Sequence, residues 1–223
     1  MTKGAPHHEI ELKRLLQGEG AADKLAARLG PAREERRQIN HVFDTDDRRL
    51  QQTRYAVRLR FENEVPILTV KGPSRGVGAS IAARAEAEAT IDRAQADTIL
   101  AGQLDPVRAL RQHELDPAYA TLWAGLDEAR GGAPLRPLGR FENLRRVFPV
   151  VLPSGLRLDL ELDRTRFADD RVDDEVEIEL SDESAAEEVE AWLEATAREA
   201  GVATAASTPK VARFYAFLDE RQP

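Results

Sequence analysis

No cysteine occurs among the 223 residues. That removes disulfide frameworks, thiolate zinc sites and a cysteine nucleophile together, and it permits a reducing compartment. Aromatic residues amount to 5%, too few for base stacking to be the main mode of binding. No apolar run approaches the roughly 20 residues of a membrane-spanning helix, and Met1 to His8 holds no apolar signal segment. Positive charge is in deficit, with a net charge of −8 and a pI near 5.2. A protein that binds nucleic acid along its outer surface carries a basic excess instead. These absences predict a cytoplasmic protein with neither nucleic acid nor membrane as a partner, in which any anion site is local.

What is present is charge in a regular arrangement. Charged residues make up 32% of the chain and apolar ones 42%, an ordinary globular balance with a charge-rich slant. The length suggests one domain. Residues 8–16 alternate charged and apolar, as a strand does, and 20–29 have helical spacing that stops at Gly30-Pro31. Extended segments follow at about 36–43 and 55–62, joined by turn-forming residues from Asp44 to Asp47. PILTVKG (66–72) reads as a strand, 74–80 as a glycine-containing loop, and 83–91 alternates again. A helical pattern fills about 93–131. Alternation returns at about 144–152, 155–164 and 171–180, with helices expected over 184–200 and after Pro209. This order reads as α+β, dominated by an antiparallel sheet or barrel.

The alternation puts ionisable side chains on one face of each strand. Glu9, Glu11 and Lys13 form one row. Arg58 and Arg60 form another, as do Arg84, Glu86 and Glu88. Later come Asp159, Glu161 and Asp163, then Glu175, Glu177 and Glu179, each backed by an apolar face. A solvated sheet face would explain any single row. Taken together, the segregated rows point elsewhere, because solvated strands mix in Thr, Ser and Gln and avoid like-charge neighbours. Rows of carboxylates repel unless a cation sits among them. An enclosed site resolves this, with acidic rows on a hard divalent metal and basic rows on phosphates. No stacking pair for an organic ring is legible in the scattered aromatics.

In this arrangement the chain resembles the CYTH superfamily, the triphosphate tunnel metalloenzymes. HEIELKRLL carries Glu9-x-Glu11-x-Lys13. HVFDTDDRRLQQTRYAVRLR resembles the aromatic-Asp-Thr segment and its Arg-x-Arg strand, and LTVKGP supplies Lys71. RAEAEATI, LRRVF, LDLELD, EVEIEL and STPKVARFYAFL follow in the family's order, from about residue 8 to 218. The resemblance implies an eight-stranded antiparallel β-barrel, a tunnel with helices packed outside, and a helical insertion at about 93–131. It implies metal-dependent hydrolysis of a triphosphate's terminal phosphoanhydride bond with Mg²⁺ or Mn²⁺. The expected substrate is a small anion, foremost tripolyphosphate. Cyclisation of ATP to cyclic AMP and non-catalytic polyphosphate binding are the rival readings, and the assembly state, a homodimer included, is left open.

By the same resemblance, Glu9, Glu11, Glu86, Glu88, Asp163, Glu177 and Glu179 are candidate metal ligands. Lys13, Arg58, Arg60, Lys71, Arg84, Arg145 and Lys210 are candidate phosphate binders, with Glu11, Lys13 and Lys210 nearest the reaction. Whether Arg145 or Arg146 faces inward depends on one step of register. The family's Ser-Lys is Pro209-Lys210 here, a departure that bears on the role of Lys210.

Overall fold

The structure, a computed structural model, describes residues 8–76, 81–113, 116–167 and 171–220. Its strands are β1 (His8–Gln17), β2 (Glu34–Asp44), β3 (Ala56–Glu62), β4 (Val65–Lys71), β5 (Arg75–Gly76), β6 (Ile81–Thr90), β7 (Arg136–Val151), β8 (Arg157–Arg166), β9 (Val172–Leu180) and β10 (Ala203–Ala206). The helices are α1 (Ala21–Leu29), α2 (Arg49–Thr53), α3 (Arg93–Leu100), α4 (Pro106–His113), α5 (Ala120–Arg130), α6 (Ala186–Glu199) and α7 (Lys210–Glu220).

Eight strands close into an antiparallel barrel in the order β1-β9-β8-β7-β2-β3-β4-β6. The pairing of β6 with β1 completes the ring. The short β10 and β5 are added to β1 and β6. Closure leaves each barrel strand with two faces of opposite character. The outer face of β1, β8 and β9 packs Leu12, Leu160, Leu162, Val176 and Ile178 under α1 and α6, which contribute Leu25, Val189 and Leu193. The outer face of β3 and β4 packs Val57, Leu59, Leu68 and Val70 under α3 to α5, through Ile99, Leu110, Leu122 and Leu126. Each fully buried aliphatic side chain contributes roughly 1.5–3 kcal/mol, so these two layers hold the charged rows inward. Like-charged rows cannot share that face without such a constraint.

A third cluster joins α7 to the barrel. Phe214, Tyr215 and Phe217 pack on Val42, Phe141 and Phe167. Gly139, at φ +155°, permits this approach: a Cβ there would stand 3.1 Å from the Phe214 ring.

The expected elements are present, with four differences, one of them the short β5 inside the expected loop at 74–80, which is a strand because it pairs with β6. β7 begins at Arg136, ahead of the expected 144, because its first residues complete the long pairing with β2 despite Pro137 and Gly139. The turn after β2 contains the short α2, and β10 was not expected. Of the expected loop at 74–80, residues 77–80 lie outside the described residues.

Candidate functional site

The inward rows of the barrel border one cavity of about 910 Å³. Nine Lys and Arg side chains and seven Glu side chains line it among the described residues. In the ring order β9 lies across the barrel from β3, so the carboxylates of β9 oppose Arg58 and Arg60. An acidic arc on β1, β9 and β8 thus faces a basic arc on β3 and β4.

The acidic arc is tightly knotted. Asp163 pairs in register with Glu175 across β8 and β9, and Glu161 with Glu177. Carboxylate oxygens of Asp163, Glu175 and Glu177 lie within 4.8 Å of one another, all three residues buried. Four cationic side chains reach into this group, Arg213 from α7 through Glu175 and three others from the cavity side. The Lys210 ammonium meets Glu175 at 2.5 Å, Glu177 at 2.6 Å and Asp163 at 2.8 Å. Arg145 donates to both Asp163 oxygens at 2.8 and 2.6 Å and to Glu177 at 2.5 Å, and it also pairs with Glu161. Lys13 bridges Glu11 at 2.9 Å and Glu177 at 2.6 Å. Burial alone would favour the neutral forms, and the mutual charges reverse that. Burial lowers Lys13, but Glu11 and Glu177 outweigh it and hold the ammonium above its ordinary range. Burial raises Glu177, yet Lys13, Lys210 and Arg145 keep it well below the usual carboxylate range. Asp163 is likewise held low by Arg145 and Lys210. Glu161, where burial dominates, is pushed up.

Around the other arc the pairing is looser. Lys71 meets Glu86 at 2.8 Å, and Arg60 meets Glu88 at 3.3 Å, with Thr69 donating to Glu88 at 2.9 Å. Arg84 approaches Glu11 at 3.8 Å. A neutral relay separates the arcs on β2, β7 and β8: Thr165 donates to Asn143, and Asn143 to Gln38, at 2.9 and 2.8 Å.

Against the residues expected from sequence, the structure brings Lys13, Glu11, Arg58, Arg60, Lys71, Arg84, Glu86, Glu88, Arg145, Glu177, Glu179 and Lys210 to the cavity wall. Asp163 sits just behind it, fully buried. The Glu9 side chain lies outside what is described, though its backbone pairs with Arg84. The register question resolves to Arg145. Arg146 points outward to Asp23 of α1 at 3.4 Å. Glu86 and Glu88 stand apart from the three clustered carboxylates and pair with Lys71 and Arg60.

Sequence reasoning passed over Glu175 and Glu161, although both lay in recognised rows, because only register shows which row members meet. It also missed Arg213, which meets Asp173 at 2.9 Å and Glu175 at 2.6 Å from α7. Three tyrosines, Tyr55, Tyr119 and Tyr215, border the cavity as well, where the sequence showed only scattered aromatics.

A closed antiparallel barrel with charge segregated inside and apolar layers outside defines the class of charged-tunnel proteins. The CYTH domain model matches residues 7–215, and the chain belongs to the CYTH family. Among solved structures it is similar to HpAC1 from Hippeastrum, a candidate adenylyl cyclase with a dominant triphosphatase activity. The two share 26% identity over 94% of this chain and 96% of that one, with a TM-score of 0.76. A candidate adenylate cyclase from Bacillus halodurans shares 20% over 93% and 98%, TM-score 0.63. The PH1819 protein of Pyrococcus horikoshii shares 17% over 96% and 99%, TM-score 0.59. No curated protein sequence matches the chain. Among the described residues, no helix is long and apolar enough to cross a membrane.

Proposed function

We propose that this protein hydrolyses the terminal phosphoanhydride bond of a small triphosphate with Mg²⁺ or Mn²⁺ as cofactor. The observation that carries this reading is the opposition of a carboxylate arc and an arginine–lysine arc within one cavity. A phosphate chain needs cations along its length and a further positive centre at the bond that breaks, with little covalent help from protein.

The donor set fits a hard divalent ion. Asp163, Glu175 and Glu177 offer only carboxylate oxygens within one ion's reach, and no thiolate is available to favour a softer metal. Glu11 on β1 adds a buried carboxylate beside Glu177, joined to it through Lys13. Glu9 and Glu179 extend the same rows. When bound, the ion supplies charge neutralisation at the phosphates and a more acidic water. Glu11 and Glu177 line the cavity and would hold the ion there, in the place where Lys13 bridges them.

The remaining groups bind and orient. Arg58, Arg60 and Arg84 grip phosphate oxygens with planar forks, and Lys71 adds a point charge. Lys13 and Lys210, held protonated by their carboxylate neighbours, place fixed positive charge where the leaving oxygen gains negative charge. Arg145 locks Asp163 and Glu177 in position. Tripolyphosphate is the simplest compound that satisfies this charged wall. The dominant triphosphatase activity of HpAC1, despite its cyclase name, supports hydrolysis over cyclisation.

The test is a phosphate-release panel over tripolyphosphate, thiamine triphosphate, ATP and pyrophosphate, with and without chelator. Release from triphosphates that stops with chelator is expected. Cyclic AMP as the dominant product from ATP would instead establish a cyclase, and tight binding without turnover a polyphosphate-binding module.

A further inference from the structure

The carboxylates of β9 have a side that faces away from the cavity. Glu175 is fully buried and is not among the described residues that line the cavity, whereas Glu177 and Glu179 on the same strand are. Its two oxygens have different partners. Oε1 accepts from the Lys210 ammonium at 2.5 Å. Oε2 accepts from the Arg213 guanidinium at 2.6 Å and from the Ser207 hydroxyl. Both oxygens are thus taken by this chain's own donors, and Lys210 receives one of them.

Arg213 stands behind the cavity wall and ties down the segment that forms it. Thr208, Pro209 and Lys210 border the cavity. Pro209 has neither a side-chain hydroxyl nor a backbone N–H to contribute, so the polar anchors of this segment lie before it. Nη1 of Arg213 donates to the Thr208 carbonyl at 2.5 Å and to the Ser207 hydroxyl oxygen at 2.8 Å, besides Glu175. Its Nε meets Asp173 at 2.9 Å. The result is a string of alternating charge that runs from Asp173 through Arg213, Glu175, Lys210, Glu177 and Lys13 to Glu11. Neighbours along it are 2.5 to 2.9 Å apart.

We infer that Arg213 is a positioning residue: by holding Glu175 from behind, together with Ser207, it sets how far the Lys210 ammonium stands into the cavity. The inference rests on the triphosphate reading above and deepens it. An ammonium has three N–H donors, and Lys210 spends them on Asp163, Glu175 and Glu177. Without Arg213, the second Glu175 oxygen keeps only the Ser207 hydroxyl, which leaves part of a buried charge uncompensated. Lys210, already on the other oxygen, is the cation at hand. Its ammonium is then drawn back toward Glu175 and away from the phosphates. A fixed charge stabilises a transition state only from the correct position, so a small retreat is costly. Arg213 itself is not among the described residues that line the cavity, and it acts through Lys210.

The test is a double-variant cycle in phosphate release from tripolyphosphate with Mg²⁺, using Arg213→Met, Lys210→Met and both changes together. Methionine keeps much of the arginine stem, and thermal melts verify that each variant is folded. Arg213→Met is expected to lower kcat by roughly 10- to 100-fold, the scale of a small misplacement. KM and the Mg²⁺ concentration for half-maximal rate are expected to stay within about twofold of wild type. In the Lys210→Met background the same change is expected to add nothing, because its route is through the missing ammonium. An equal loss in both backgrounds, a loss carried by KM, or an unchanged kcat overturns the inference. Ser207→Ala leaves every charge in place. It is expected to give a smaller fall in kcat that also vanishes without Lys210, and it decides the matter if Arg213→Met does not fold. The second readout is the Lys210 ammonium resonance in protein labelled with ¹⁵N-lysine, assigned by its absence from Lys210→Met and recorded without substrate. It is expected to shift in Arg213→Met and in Ser207→Ala, and an unmoved resonance overturns the inference whatever the kinetics. A protein that shows the shift but releases no phosphate from tripolyphosphate, thiamine triphosphate or ATP keeps the hold of Arg213 on Lys210 and removes the hydrolytic reading.

Discussion

Tyr215 on α7 donates a 2.7 Å hydrogen bond to Asp44 at the end of β2, so the last helix is fastened to the barrel through a fully buried carboxylate. The same carboxylate accepts from the backbone N–H groups of Thr45, Leu50 and Gln51 at 2.7, 2.8 and 3.0 Å. One side chain thus caps α2, shapes the turn after β2 and anchors the helix that carries Lys210. Asp44→Ala leaves several buried donors unsatisfied, each at about 1–3 kcal/mol. We expect a total loss of at least about 3 kcal/mol in urea unfolding. A loss below about 1 kcal/mol would remove Asp44 as the anchor.

Tyr215 gives this anchor a pH dependence. Burial, followed by the Asp44 charge and hydrogen bond, raises its phenol above the ordinary value of 10.0. The neutral form is the one the fold favours. Its contribution is therefore complete below about pH 10, the unfolded value, and is lost as pH rises through the higher folded value. Stability should fall above about pH 10. Tyr215→Phe should be less stable at neutral pH, by about 1 kcal/mol for one lost hydrogen bond, and should show a shallower alkaline decline. Parallel stability–pH curves for the two proteins would remove this assignment.

Adjacent arginines provide a test of register. Arg145 binds Asp163, Glu161 and Glu177 inside the barrel, and Arg146 meets Asp23 at the surface. Arg145→Ala leaves buried carboxylates uncompensated, and we expect a loss of about 3–5 kcal/mol. Arg146→Ala should cost about 0–1 kcal/mol. Comparable losses in chemical denaturation would mean that the inward side of β7 is misassigned.

The metal reading predicts that phosphate release from tripolyphosphate needs added Mg²⁺ or Mn²⁺ and stops in excess chelator. Glu11→Gln should raise the metal concentration for half-maximal rate, and excess metal should restore part of the activity. Arg58→Ala should instead weaken substrate binding by roughly 2–5 kcal/mol and leave the metal requirement unchanged. Full turnover in excess chelator would exclude metal-assisted hydrolysis.

The fit of Tyr55 against α5 predicts a coupled pair. Gly125→Ala forces a methyl to within 2.0 Å of the Tyr55 hydroxyl, and overpacking of this kind costs about 1–3 kcal/mol. Tyr55→Phe removes the colliding oxygen. The double variant should recover at least half of the loss in thermal unfolding. Additive losses would place the Tyr55 hydroxyl away from Gly125.

The sequence by itself determined which side chains share a face. Alternation along a strand is local geometry, so Glu11 with Lys13, Arg58 with Arg60 and Glu175 with Glu177 were legible as rows before any pairing was known. Order along the chain was legible too, because glycine, proline and helical spacing punctuate it. The tertiary structure decided which rows meet. Closure depends on β1 pairing with β6, distant in sequence, and no local signal sets that contact. The start of β7 was hidden because partnership with β2, and not its own composition, makes it a strand. The choice of Arg145 over Arg146 followed from one step of register. Glu175 became part of the acidic centre only when β8 set Asp163 against it, and Lys210 reached both because α7 is bound to the barrel at Asp44. Strand faces follow from the backbone's own two-residue repeat, whereas charge neutralisation in the interior depends on distances between segments that only packing brings together.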